Sequence, residues 1–191
     1  MKTDRLEAFT DAVLAIVITI MVLELKAPEL ESAKAILDLL PVFISYLLSF
    51  VYLGIYWSNH HHLFKITEKI NGKGMWSNLL LIFWLSLIPF ATSLVGEHYS
   101  DPRTIAFYGF ILLMSAISYR ILEICLMKYD MSNSILRNAV RRGRKETIST
   151  ILYIVAIPLA FVNIWLAIVL YVLVASSWVV PDKRVERSFG K

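Results

Sequence analysis

Six long apolar stretches, separated by short polar connections, constrain this chain more than any other feature of its sequence. Most approach the length of roughly 20 apolar residues that a helix needs to cross a bilayer. Hydrophobic residues make up 58% of the 191 residues and charged residues only 18%, so helices with one polar face cannot account for the pattern. The sequence therefore predicts an all-α integral membrane protein, a single domain over residues 1–191 with six transmembrane helices. The predicted spans are residues 4–25, 36–57, 76–94, 104–126, 148–161 and 164–180.

The last two spans form one uncharged stretch from Ile148 to Val180, more than twice the length of one span. Asn163 is the one strongly polar residue near its middle, and we expect a tight helical hairpin there. Pro181 is expected to end the sixth span. Three further prolines fall within predicted spans, where neighbouring helices or water can satisfy the freed carbonyls. These are Pro41, Pro89 and Pro158.

The basic residues predict the orientation in the membrane. Fifteen lysines and arginines lie in the first segment, in the second and fourth connections and after the last span, whereas the first and third connections together hold three. The positive-inside rule then places both termini in the cytoplasm. The net charge of +4 reflects this topology and does not indicate a nucleic-acid partner. The basic cluster at residues 137–145 either sets topology as a solvated loop or also binds anionic lipid heads.

The first span also has the basic start and apolar run of a secretory signal peptide. Four acidic residues argue against cleavage: Asp4, Glu7 and Asp11 at its start, and Glu31 where a small residue should precede the cleavage point. We expect the segment to be retained as a helix of about 22 residues that begins near Asp4.

Asp11 lies within this predicted helix, and an ionisable residue inside a membrane bundle is costly unless it is paired. At about 100° per residue it falls about 140° from Ile16, so it is expected to face a neighbouring helix. Polar partners are available at the inner ends of the second and third spans. The apolar face shared with Ile16 consists of Ala12, Thr19, Ile20 and Leu23.

Arg5, Phe9, Thr10 and Asp11, spaced as RxxxF(S/T)D at the start of the first of six spans, resemble the signature of the endo-lysosomal potassium channel family (transmembrane protein 175) and its small bacterial members. The stretches YWSNHH after the second span and MWSNLLLIFWLSLIPF in the third agree with this resemblance. Thr10 replaces the family's usual serine, one hydroxyl for another. The motif and helix-packing network implied by the resemblance comprises Arg5, Phe9, Thr10, Asp11, Trp57, His60, His61 and Asn78.

The resemblance implies a homotetramer in the bacterial plasma membrane, with one pore lined by the first helix of each subunit. Ile16 would form the first hydrophobic constriction, Ile20 and Leu23 the next two rings, and Thr19 would lie beside the constriction. The sequence has no TVGYG-like segment that could form a carbonyl filter. Potassium would be the permeant ion, with no cofactor, and the partners would be monovalent cations and membrane lipids, not nucleic acid.

Other interpretations remain open from the residues alone. An apolar stripe on a membrane helix more often packs against helices or lipid than lines a pore. A secondary transporter, or a weakly selective cation channel that also passes protons, is the alternative function. Enzymatic interpretations are disfavoured, because the chain has only four histidines. Three of them, His60, His61 and His62, are consecutive. Consecutive side chains point about 100° apart on a helix, so these three cannot bind one metal ion together. Cys125 is single and is expected to be a buried small residue.

Overall fold

The computed structural model describes residues 3–25, 37, 39–130, 132–141 and 144–179, and the regular structure in these ranges is entirely α-helical. A longer connection between the first two helices, residues 26–38, lies largely outside the described residues, as do the C-terminal residues 180–191. The helices are α1 (Thr3–Leu23), α2 (Leu40–Lys65), α3 (Gly72–Ser86), α4 (Ile88–Glu97), α5 (Pro102–Tyr129), α6 (Ser134–Arg141), α7 (Arg144–Leu159) and α8 (Ile164–Val179).

Four helical segments are long and apolar enough to cross a membrane: α1, α2, the consecutive pair α3 and α4, and α5. Helix α8 is a shorter apolar helix. Helices α7 and α8 have 16 residues each, or about 24 Å at 1.5 Å per residue, which is less than the roughly 30 Å of a hydrocarbon core. The six-span count therefore stays a prediction.

Two prolines shape the helices differently from the prediction. The predicted third span, 76–94, is divided at Leu87, because Pro89 in the first turn of α4 lacks the N–H that would continue α3. Pro41 lies in the first turn of α2 and not within a span, since α2 begins at Leu40. Helix α2 also continues past the predicted end at Trp57 to Lys65.

The predicted hairpin at Asn163 is confirmed. The backbone N–H of Asn163 donates to the carbonyl of Leu159, 2.8 Å away, and closes α7. The side-chain oxygen of Asn163 then accepts from the N–H of Trp165, at 2.9 Å, and caps the start of α8. One residue thus ends one helix and begins the next.

Helix α5 forms the centre of the bundle and contacts α3, α4, α6, α7 and α8. Leu112 and Leu122 on this helix have no exposed surface. At Gly109 the backbone of α5 approaches α8 so closely that a methyl group there would overlap the hydroxyl of Tyr171. Helix α1 packs on the other side of the molecule, against α2, α3 and α4.

Candidate pore helix and inner hydrogen-bond network

Helix α1 has two faces of opposite character. One face packs into the bundle, where Leu14 and Met21 are 2% and 1% exposed. The other face is not covered by any of the described residues. Residues of the packed face are Thr3, Leu6, Thr10, Leu14, Val17 and Met21.

The uncovered face carries the residues predicted to line the pore. Ile16 is 58% exposed, Ile20 46% and Leu23 74%. Their spacing of four and three residues aligns them along one side of the helix. Ile18, which the helical projection separates from Ile16 by about 160°, instead packs half-buried against the core.

Thr19 is the polar residue of this exposed face. Its hydroxyl donates to the carbonyl oxygen of Ala15, one turn back, at 2.8 Å. The hydroxyl hydrogen is thereby directed along the helix, and the oxygen keeps lone pairs that can accept from water or face a cation. Phe9 is also exposed on α1, by 48%.

A chain of hydrogen bonds joins α1, α2 and α3 near their predicted cytoplasmic ends. The amide of Asn78 donates to the hydroxyl oxygen of Thr10 at 2.8 Å, and Thr10 in turn donates to the carbonyl of Leu6 at 3.0 Å. The Asn78 carbonyl oxygen lies 2.8 Å from Nε2 of His60. Because the amide nitrogen of Asn78 is used on Thr10, the His60 contact requires Nε2 to carry the hydrogen.

This network is entirely enclosed. Thr10 and Asn78 have no exposed surface and His60 has 1%. The His60 ring also stacks on Phe64, with centroids 4.2 Å apart. Nδ1 of His60 has no hydrogen-bond partner among the described residues. The Asn78 amide bonds to both Thr10 and His60 and so fixes how α1, α2 and α3 pack against one another.

Asp11 was predicted to belong to this network, but it makes none of these hydrogen bonds. Asp11 is half-buried, and its Oδ1 atom is enclosed without a hydrogen-bond partner among the described residues. Thr10 makes the contact with Asn78 instead. One residue of α-helix turns the side chain by about 100°, so Thr10 points into the bundle while Asp11 points to its side.

A second contact joins α1 to α2 closer to solvent. Nδ1 of His61 lies 2.7 Å from a carboxylate oxygen of Glu7, and the ring of Trp57 stacks on His61 at 6.4 Å between centroids. Trp57 and His61 belong to the network predicted from the sequence, whereas Glu7, whose partner lies 54 residues away, does not. Arg5 is exposed at the start of α1.

Hydroxyl groups connect the helices at the opposite end. The Thr92 hydroxyl of α4 lies 2.6 Å from the Ser49 hydroxyl of α2, which lies 2.9 Å from the Tyr108 hydroxyl of α5. All three residues are buried. Sequence reasoning missed this cluster, because each is an isolated hydroxyl in an apolar stretch and only the fold brings them together.

The described part of the chain contains no group of three histidine, cysteine or acidic side chains that could hold a metal ion. Cys125 is a free, half-buried thiol. Glu24 is exposed after the end of α1, whereas the acidic residues that follow it, Glu29 and Glu31, lie outside the described residues.

Comparison with known proteins identifies the family. The sequence model of the endosomal/lysosomal potassium channel TMEM175 matches residues 5–89. A protein from Chryseobacterium sp. (strain P1-3), named a potassium channel, is 50% identical over 188 residues, which cover 98% of each chain. The chain belongs to the TMEM175 channel family.

Two further TMEM175 relatives extend the comparison. The crystal structure described as a lysosomal potassium-selective channel TMEM175 homolog from Chamaesiphon minutus superimposes with a TM-score of 0.82 at 27% identity and covers 93% of this chain and 96% of that one. A protein of Rattus norvegicus named endosomal/lysosomal proton channel TMEM175 is 31% identical over 99 residues, 49% of this chain and 20% of its own length.

Membership in the TMEM175 family makes this chain a multi-pass membrane protein of an ion-channel family and not an enzyme. The fold is similar to that of the TMEM175 homolog from Chamaesiphon minutus. The relatives' names favour a channel over a secondary transporter.

Proposed function

We propose that four copies of this chain form a potassium-permeable cation channel in the bacterial plasma membrane, with α1 of each copy lining one central pore. The row formed by Ile16, Ile20 and Leu23 carries the proposal. No described residue covers these large apolar side chains, although the opposite face of the same helix is packed to 5% exposure or less at Leu6, Leu14, Val17 and Met21. A single helix cannot enclose a path for ions, whereas four related by symmetry can.

In this tetramer the three apolar side chains of each subunit form successive hydrophobic rings along the axis. A narrow apolar ring excludes water, and an ion cannot pass while it would have to give up its hydration shell without replacement ligands. A small widening or rotation of α1 opens the path. Sodium, the smaller ion, loses more hydration energy than potassium in such a constriction, and the oxygen of Thr19 supplies partial compensation. We expect weak to moderate selectivity for potassium.

The proposed topology has six transmembrane helices and both termini in the cytoplasm. The excess of lysine and arginine in the inner segments, 15 against three, supports this orientation. In this topology the Thr10, Asn78 and His60 network lies at the inner end of the pore helix. The channel uses no cofactor, and its partners are three further copies, membrane lipids and monovalent cations.

The direct test is single-channel recording of the purified protein in lipid bilayers with potassium on one side and sodium on the other. We expect discrete passive currents, with a reversal potential shifted toward that of potassium. The mass of the detergent-solubilised protein should correspond to four chains. A monomer or dimer as the largest conducting species, or ion exchange at the slow rate of a transporter, would contradict the proposal.

Proton permeation is the second candidate activity, favoured by the rat relative's name as a proton channel. It is compatible with the same pore, since a partly hydrated constriction can also pass protons. Vesicles containing the protein and a pH-sensitive dye, with a pH gradient and no potassium gradient, measure it separately. Dissipation of the gradient faster than in empty vesicles indicates proton permeation, and an unchanged rate excludes it.

A further inference from the structure

A cavity with aromatic walls lies between α2, α5, α7 and α8, and no residue of the pore helix α1 contributes to its lining. We call it the aromatic cavity. It contains about 440 Å³ of empty space, counting its open mouth. The rings and the one acidic side chain that line it are those of Tyr52, Tyr56, Tyr119, Tyr153, Trp178 and Glu146.

Five aromatic rings line the cavity. Tyr56 and Tyr119 meet edge to face with centroids 6.1 Å apart, and Tyr52 and Tyr153 lie at 6.5 Å. Trp178 is the fifth ring, and the ammonium of Lys145 already lies 5.6 Å from its centroid. Aromatic faces attract cations electrostatically, and rings grouped around one space form the recognised arrangement for binding organic ammonium groups.

Glu146 adds a carboxyl group to the lining of the cavity. Its Oε2 atom is buried and has no partner within the described residues. The carboxylate of Glu123 nearby is bonded to Arg120 at 2.8 Å and repels that of Glu146. A buried carboxylate oxygen without a donor is costly, so this position favours a ligand that brings both a positive charge and an N–H group.

Several donors in the wall are already used within the protein, which narrows the ligand chemistry further. The Tyr52 hydroxyl donates to the carbonyl of Tyr171 at 2.6 Å, and the Tyr119 hydroxyl donates to the carbonyl of Asn59 at 3.1 Å. The indole N–H of Trp178 donates to the Ser149 hydroxyl at 2.8 Å. These three side chains therefore have no N–H or O–H left to donate to a ligand, and they offer it their ring faces.

We propose that the aromatic cavity binds a small primary alkylammonium ion, with an N–H donated to Glu146 and the alkyl chain among the tyrosine rings. The site is separate from the ion path, because its walls come from helices other than α1. An alkyl chain of a few carbons matches the limited volume, and the ring faces supply both apolar contact and attraction for the charge.

The test is a saturation-transfer NMR titration of the purified full-length channel with n-butylammonium in a potassium-rich buffer, which competes for cation sites in the pore. We expect saturable binding to the wild type, weakened about tenfold or more by Glu146→Gln, which keeps the shape and removes the charge. Tyr153→Leu, which removes one ring, should weaken binding several-fold. Glu68→Gln, a change at an exposed carboxylate outside the cavity, is the matched control and should bind as the wild type does.

Ligand controls on the wild type keep the test decisive if a variant fails to fold. n-Butanol has the same chain without the charge and should bind at least about tenfold more weakly. Butyltrimethylammonium keeps the charge without an N–H group and should also bind more weakly than n-butylammonium. Equal binding of n-butanol, full displacement by added potassium, or unchanged affinity in a folded Glu146→Gln protein would each overturn the proposal.

Discussion

The side-chain amide of Asn78 on α3 donates a hydrogen bond to the hydroxyl of Thr10 on α1, 2.8 Å away, and neither residue has any exposed surface. Asn78 also contacts His60 of α2 through its carbonyl oxygen. Asn78 thus bonds to both α1 and α2, and the position of the proposed pore helix depends on this one residue. Substitutions at these residues should lower the stability of the protein more than they alter its ion selectivity.

Thr10→Val should destabilise the folded protein by about 1–2 kcal/mol, because valine keeps the shape but leaves the Asn78 amide without its acceptor. Thr10→Ser retains the hydroxyl and should remain close to the wild type. Thermal melting of the purified protein in detergent measures the difference. Equal melting of the valine and serine variants would show that the hydrogen bond contributes nothing to stability.

Helical projection alone does not determine whether Thr10 or Asp11 contacts Asn78. Projection from the sequence correctly placed Ile16 and Ile18 on different sides of α1, because 3.6 residues per turn determine relative directions along one helix. It could not determine which of two adjacent polar residues meets Asn78, since that depends on how α1 is rotated against α3. Only the packed bundle fixes that rotation.

Apolar composition similarly predicted where helices lie but not all of their ends. The predicted span 104–126 corresponds to α5, Pro102–Tyr129, with short extensions at both ends. Helix α2 instead runs eight residues past Trp57 to Lys65, because its polar last turns are stabilised by contacts made by the fold. His60 in that extension is buried against Asn78, and nothing in local hydropathy signals such a contact.

Gly109→Ala should destabilise the protein by about 1–3 kcal/mol, because the added methyl group overlaps the Tyr171 hydroxyl and separates α8 from α5. Gly54→Ala is a matched control in α2, where a methyl group meets nothing within 4 Å. That change should leave stability unchanged or raise it by up to about 1 kcal/mol. Melting temperatures compare the two, and adding Tyr171→Leu should recover part of the loss at Gly109.

Asp101→Ala should lower the melting temperature at neutral pH. Hydrogen bonds from the Arg103 side chain and from its backbone N–H, 2.9 Å away, hold the pKa of the Asp101 carboxyl below its usual value. A lowered pKa in the folded state means that the ionised form contributes stability above the unfolded pKa, and that this contribution is lost as pH falls through the folded pKa. The wild type and Asp101→Ala should therefore converge at low pH.

Asp101→Asn provides the control for that pH dependence. Asparagine can still accept the backbone N–H at the start of α5, but it lacks a charge to pair with Arg103. Its melting temperature should lie between those of the wild type and Asp101→Ala at neutral pH. A constant difference between the wild type and Asp101→Ala across the acidic range would show that ionisation of Asp101 does not contribute.

Ile16→Asn should raise single-channel conductance and lower the preference for potassium over sodium. Asparagine has as many side-chain heavy atoms as isoleucine, but its amide holds water, so the dewetting barrier at the constriction falls and partly hydrated sodium can pass. Recordings in bilayers under mixed potassium and sodium measure both quantities.

Ile18→Asn is the matched control, the same change two residues away on a side chain that packs half-buried against the core. It should reduce expression or thermal stability by leaving a polar group in an apolar contact, and any channels that do assemble should keep the wild-type ion preference. The opposite pattern, with normal currents for Ile16→Asn and altered selectivity for Ile18→Asn, would mean that the exposed row of α1 faces lipid or another helix. The pore would then have to be lined by a different face. Because Ile16, Ile20 and Leu23 share one side of the helix, a result that excludes Ile16 from the pore also excludes the other two.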